Sequence, residues 1–285
     1  MKKNKKLTLI LTLTTGILVG TAATVFAQNP ITLLVNGSKI GSKEAPSFVN
    51  GRVMVPIRTT AEALGKEVQW NAQKSEVNIV DREDLLTEYV KGTQKVKIWG
   101  KKSDGGYWGM RITLGEITRN FPFWYNVGNP SYAPQVYLQD LNQDGKDELL
   151  IILTTGYGTG FKEENAYIFD SEEFSEIPLE DWQTYTLKHV VPGKVTKEGA
   201  SIQIDHKELA IPHGIPEEDF KSDKPYWYES PAYGQYFRYE VRNDKLYAII
   251  PLWFSPALSS GQLEIEYSYK DKFFQGDGIK YVESE

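Results

Sequence analysis

Asp140–Leu153 reads DLNQDGKDELLIIL. Its first part places side-chain oxygens at alternate positions, Asp140, Asn142 and Asp144, with Gly145 at the sixth place and Glu148 at the ninth. Its second part is an unbroken apolar run. Alternating loop residues point the same way, so such oxygens wrap a hard cation that takes about six to eight oxygen ligands. On this reading the ligands are the side chains of Asp140, Asn142, Asp144 and Glu148 together with the main-chain carbonyl of Lys146. The ion is calcium, with a structural role. An EF-hand needs a bidentate glutamate at the twelfth place and a helix after the loop. Here that place is Ile151, and ELLIIL reads as a buried strand. Asp, Asn and Gly are also ordinary turn formers, so a polar turn that binds nothing is the competing reading.

Outward from this loop the pattern is one of hairpins. PQVYLQDL leads in, and ENAYIFD follows as a further strand. SIQIDHKELAI, YFRYEVRNDKLYAIIPLWF and LEIEYSYKDKFF each alternate around a charged turn, which predicts a mainly antiparallel β domain. EDWQTYTLKH reads as a short helix. VKIWG, YWGMRITL and FPFWYNV read as strands broken at Gly105-Gly106 and Gly128-Asn129-Pro130. Upstream, Asn36-Gly37 and Asn50-Gly51 supply the left-handed geometry of two-residue hairpins. Thr59 to Glu62 fits a capping box with Gly65 as the helix stop, although Pro56 could instead mark the first turn. EVQW and EVNIV alternate as strands around Asn71 to Ser75. A second helix is predicted over Asp84 to Lys91, where Leu85, Leu86, Tyr89 and Val90 share a helical face and Gly92 ends the run.

The fold class expected is α+β, mainly β. A small ββαββ module spans 28–80, a helical connector 81–92, and a larger, mostly antiparallel β domain 93–285 with the loop at 140–148. Residues 1–27 have the build of a signal peptide: a basic MKKNKK, an apolar middle, and Val25 and Ala27 before the cleavage point. An uncleaved anchor is the alternative, since Leu7 to Phe26 approaches the roughly 20 residues that span a bilayer. Cleavage leaves no transmembrane segment in the mature chain. It also removes four lysines and no acid, taking the formal charge from −6 to −10. A surface so acidic repels phosphate backbones, so nucleic acid is not an expected partner. The chain has no cysteine, which excludes disulfides and thiolate metal sites.

The stretch from Ile31 to Val80 contains NGRVMVPIR, AEALG and VQW. It resembles the copper amine oxidase N-terminal-like, or stalk, domain found on many exported proteins of Gram-positive bacteria. The resemblance implies a small module that displays or tethers something else and carries neither copper nor quinone. The loop D-x-[DN]-x-D-G-x-x-[DE] between two strands is similar to the calcium hairpins of FG-GAP and VCBS-type repeats, in which the ion stiffens a β-hairpin.

Other chemistry is sparse. TTGYGTG lacks the lysine of a phosphate loop and reads as a glycine-rich turn between paired strands. His189, His206 and His213 match no common metal spacing, and no N-Y-[DE] motif is present, so copper amine oxidase activity is set aside. A Ser/His/Asp triad assembled across the fold stays open, because triads are recognised in space. No catalytic residue is assigned. The aromatic run Pro225 to Tyr239 is either core or a ligand surface, with Trp227 and Tyr228 the residues expected to be exposed. The expectation is an exported, non-enzymatic surface or wall-associated protein that meets an unidentified cell-envelope polymer or protein. An extracellular hydrolase with its site in the C-terminal domain, near the Pro212 to Gly234 loop, is the alternative.

Overall fold

The computed structural model describes residues 30–41, 43–159, 161–212, 227–234, 236–256 and 258–283. The leader at 1–27, His213 and most of the Pro212 to Gly234 loop lie outside them. The chain divides into two compact units, 1–63 and 64–285.

In the first unit, β1 (Leu34–Val35) and β2 (Ser38–Lys39) form one hairpin, and β3 (Ser47–Val49) and β4 (Arg52–Met54) a second. Asn36-Gly37 and Asn50-Gly51 both have positive φ, as two-residue hairpin turns require. Helix α1 (Ile57–Ala63) begins directly after Pro56, three residues earlier than a Thr59 cap would place it. Proline fits the first turn because no helical partner exists there for its missing N–H. Thr60, now inside the helix, turns its hydroxyl back to the Pro56 carbonyl at 2.8 Å.

The second unit is mostly antiparallel β. β5 (Lys66–Asn71) and β6 (Glu76–Asp81) form a hairpin, closed by the Lys66–Asp81 ion pair. A four-stranded meander follows: β7 (Glu83–Lys91), β8 (Gln94–Ser103), β9 (Gly106–Leu114) and β10 (Ile117–Val127). The expected connector helix is therefore corrected to a strand, and the cause is a β-bulge. Leu85 pairs with Trp99 and Thr87 with Ile98, which leaves Leu86 as the extra residue. The bulge turns Leu86 and Tyr89, three apart, to the same core, imitating helical spacing.

The next sheet is β11 (Gln135–Gln139), β12 (Glu148–Gly158), β13 (Phe161–Asp170) and β14 (Glu176–Ile177). Helix α2 (Trp182–His189) is capped by Asp181, whose carboxylate accepts the Thr184 N–H at 2.7 Å. β15 (Val190–Thr196), β16 (Gly199–Ile204) and β17 (Lys207–Ile211) make a three-stranded sheet. β18 (Ala232–Tyr233), β19 (Arg238–Arg242), β20 (Lys245–Ser255), β21 (Leu258–Lys270) and β22 (Phe273–Val282) make a further one. The charged turns Asp205-His206, Asn243-Asp244 and Asp271-Lys272 join their hairpins, each with φ positive at both residues.

β12 organises the unit. Leu149, Ile151 and Leu153 enter a core with Val96 and Ile98 of β8, Met110 and Ile112 of β9, and Phe169. Leu150 and Ile152 enter a second core with Trp182 and Tyr185 of α2, Ala248 and Ile250 of β20, and Leu263 and Ile265 of β21. The continuous apolar run is thus a strand covered on both faces, and each fully buried side chain contributes about 1.5–3 kcal/mol. A charged joint connects the middle sheet to the last one. Glu164 is 0 % exposed. Its carboxylate pairs with Lys162 at 2.5 Å and accepts from Gln135 Nε2 at 3.1 Å and from the Tyr239 N–H at 2.8 Å. Glu164→Ala leaves these donors without their acceptor at a largely buried joint, so urea unfolding should show a loss of about 3 kcal/mol. A loss below about 1 kcal/mol would show that the joint does not hold the sheets.

Candidate functional site

The loop at 140–147 joins β11 to β12, and the ladder closes beneath it at Gln139 opposite Glu148. Leu141 drops into the second core and carries the chain over the Glu148 carboxylate. Glu148 Oε2 accepts the N–H of Leu141 at 2.8 Å and that of Asn142 at 3.0 Å. Asp140 accepts the Asp144 N–H on Oδ1 and the Gly145 N–H on Oδ2, both at 3.0 Å. Asn142 Oδ1 accepts the Asp144 N–H at 2.8 Å, and Asp144 Oδ1 accepts the Lys146 N–H at 2.9 Å. Each acid or amide therefore folds the backbone toward itself, which needs left-handed turns at Gln143 (φ 62°) and Gly145 (φ 92°). Gly145 adopts that geometry without penalty.

Asp140, Asn142, Asp144 and Glu148 are thus brought into one short segment, with Lys146 at its edge. Among the described residues no three His, Asp or Glu side chains converge as a finished metal cage. The donor set nevertheless fits a hard cation on two grounds. The chain's own cations near the loop bind other acids: Lys146 Nζ pairs with Glu172 at 2.7 Å, and Lys91 Nζ with Asp147 at 2.7 Å. Among the described residues no lysine or arginine pairs with Asp140, Asp144 or Glu148. In addition, Gln139 Oε1, opposite Glu148 across the ladder, is buried without a hydrogen-bond partner.

Glu148 records the strain. It is 2 % exposed. Burial pushes its carboxyl up from 4.5 to about 7, the two backbone N–H groups oppose the rise, and the Asp144 and Asp140 charges add to it.

The other candidates are placed as follows. The TTGYGTG turn joins β12 to β13, which pair from Glu148 opposite Asp170 to Gly158 opposite Phe161. His189 Nδ1 lies 2.6 Å from Asp205 Oδ1 and its ring stacks on Tyr185 at 4.2 Å. Among the described residues no serine hydroxyl hydrogen-bonds to His189. His206 occupies the turn between β16 and β17. Trp227 and Tyr228 are half-buried, contrary to the expected exposure. Trp227 packs against the second core, and the Tyr228 N–H donates to the Phe254 carbonyl at 2.9 Å, so the proline-rich approach ends tied to β20. Sequence reasoning missed Lys91 and Gln139 around the loop, and saw Asp147 only as a further acid beside it. Lys91 sits in the segment read as a helix, which hid its place beside β11.

A family model described as copper amine oxidase N-terminal domain matches residues 32–104. The match continues past Val80 through β7 and β8. No curated protein and no solved structure matches the chain.

The pH response of Glu148 follows from its raised pKa. In chelator its protonated form stabilises the fold fully below pH 4.5, and this contribution is lost as the pH rises through about 7. Glu148→Gln keeps an acceptor for the two N–H groups and does not titrate. In chelator its melting temperature should gain on that of the wild type between pH 5 and 8. Parallel melting curves across that range would contradict the assignment.

Proposed function

We propose that this chain is an exported, non-enzymatic surface or wall-associated protein with a binding or structural role, whose β11–β12 hairpin is stabilised by calcium. The single observation that carries the calcium reading is the uncompensated charge of Asp140, Asp144 and Glu148 at the mouth of the central strand. Asp140, Asn142, Asp144 and Glu148, with the Lys146 carbonyl, would hold the ion. Bound calcium supplies the positive charge that lets all three carboxylates ionise together. The oxygen-only donor set suits a hard cation, and an extracellular site of this type binds with a Kd on the order of 10⁻⁴ to 10⁻³ M. The likeness of the loop to FG-GAP and VCBS hairpins supports this.

Export is supported by the leader-type N-terminus. The match of residues 32–104 supports a stalk-type module that tethers or displays the rest of the chain, with two hairpins rather than one ahead of its helix. Copper has no part in this reading, and the partner is a cell-envelope polymer or protein. A second reading, an extracellular hydrolase, has one specific observation in its favour, the His189–Asp205 pair. A screen of ester, amide and glycoside substrates separates the two, with turnover lost in His189→Ala supporting the hydrolase.

The calcium role is tested by unfolding. At ten times its Kd, an ion that binds only the folded state stabilises by about 1.4 kcal/mol, a rise in melting temperature of roughly 3–6 °C. Asp144→Ala should abolish the rise. Superimposable melts of the wild type in chelator and in several millimolar calcium would contradict the calcium reading.

A further inference from the structure

The loop's neck is held from one side by a cation that the chain itself provides. Lys91 is the last residue of β7, which runs beside β11. Thr87 donates to the Pro134 carbonyl at 2.8 Å, and four residues on Lys91 Nζ donates to the Leu138 carbonyl at 2.9 Å. The same ammonium grips both oxygens of Asp147, at 2.8 and 2.7 Å. Leu138 precedes the loop and Asp147 closes it, so one side chain from the meander sheet spans the two strands where they part.

Alternation along β12 places Asp147 on the side of Leu149, facing the meander core, and Glu148 on the side of Leu150, facing the other core. The neck therefore carries acid on both faces. Lys91 answers the acid on one face, and the acid on the other is left for the ion.

We infer that Lys91 is the positioning residue of the calcium loop: it touches no proposed ligand atom, but sets the separation of Asp140 and Glu148 by clamping Leu138 to Asp147. This rests on the calcium reading above. The clamp is half-exposed, with Lys91 and Asp147 side chains 46 % and 25 % exposed, so it adds little to global stability. Its effect lies in pre-organising the loop, and groups that orient metal ligands in this way typically change affinity by about 10–100-fold.

Charge alone predicts the opposite sign for one variant, which makes the test decisive. Lys91→Met removes a positive charge beside the loop and by electrostatics should tighten calcium. Loss of the clamp weakens it. The double variant Lys91→Met/Asp147→Asn restores the net charge without the clamp. Calorimetric titration of the full chain with calcium should show both variants binding about 10–100-fold more weakly than wild type. Lys91→Arg, which can grip the same carboxylate, should restore affinity, and melting temperatures in chelator should barely move. Wild-type affinity in the double variant, or tighter binding in Lys91→Met, overturns the role of Lys91 while leaving the loop a calcium site. A wild-type chain that takes up no calcium overturns both.

Discussion

A strand buried on both faces has no side on which to place a charge, and β12 is such a strand. From Leu149 to Leu153 its side chains enter two cores alternately, one shared with the meander sheet and the other with α2 and the last two sheets. Burial on that scale fixes the register, because a slip of one residue would exchange every contact between the cores. The polar loop begins where burial stops. Glu148 is the residue at which the two regimes meet, still inside the ladder and already facing acids.

That position explains why the loop's charge matters to the fold as a whole. A carboxylate in the first rung of the central strand must ionise, stay protonated or find a cation, and each choice changes how firmly β11 and β12 are joined. The backbone N–H groups of Leu141 and Asn142 offset part of the burial penalty but carry no full charge. Elsewhere the chain answers buried acid with its own cations. Lys162 does so for Glu164, and Arg242 for Glu264, with bonds of 3.1 and 2.9 Å. Among the described residues no lysine or arginine does so for Asp140, Asp144 or Glu148, and this is the charge that the proposed ion would neutralise.

Much of this was legible in the residues. The hairpins at Asn36-Gly37 and Asn50-Gly51, the helix behind Asp181 and the central strand all follow from local chemistry, since turn residues and period-two alternation act over a few positions. The helix expected over Asp84 to Lys91 was not, because a bulge counts residues as a helix does and only the pairing partner, β8, reveals it. Trp227 and Tyr228 were misread for a related reason. Nearby proline suggests exposure, whereas Trp227 packs on the second core and the Tyr228 N–H is bound by β20, which follows them in the chain. The residues proposed as ligands were named from their spacing, and the backbone of the loop does fold around Asp140, Asn142, Asp144 and Glu148. Its surroundings, Lys91 from β7 and Gln139 across the ladder, depend on which strands become neighbours, and no local pattern encodes that.

The most direct test of a calcium-braced central hairpin is hydrogen exchange read at individual amides, in calcium and in chelator. The account predicts that calcium slows exchange at the Asp144, Gly145 and Lys146 amides and along Leu149 to Leu153, with little change in the β3–β4 hairpin. Equal exchange at those amides in both conditions would contradict it.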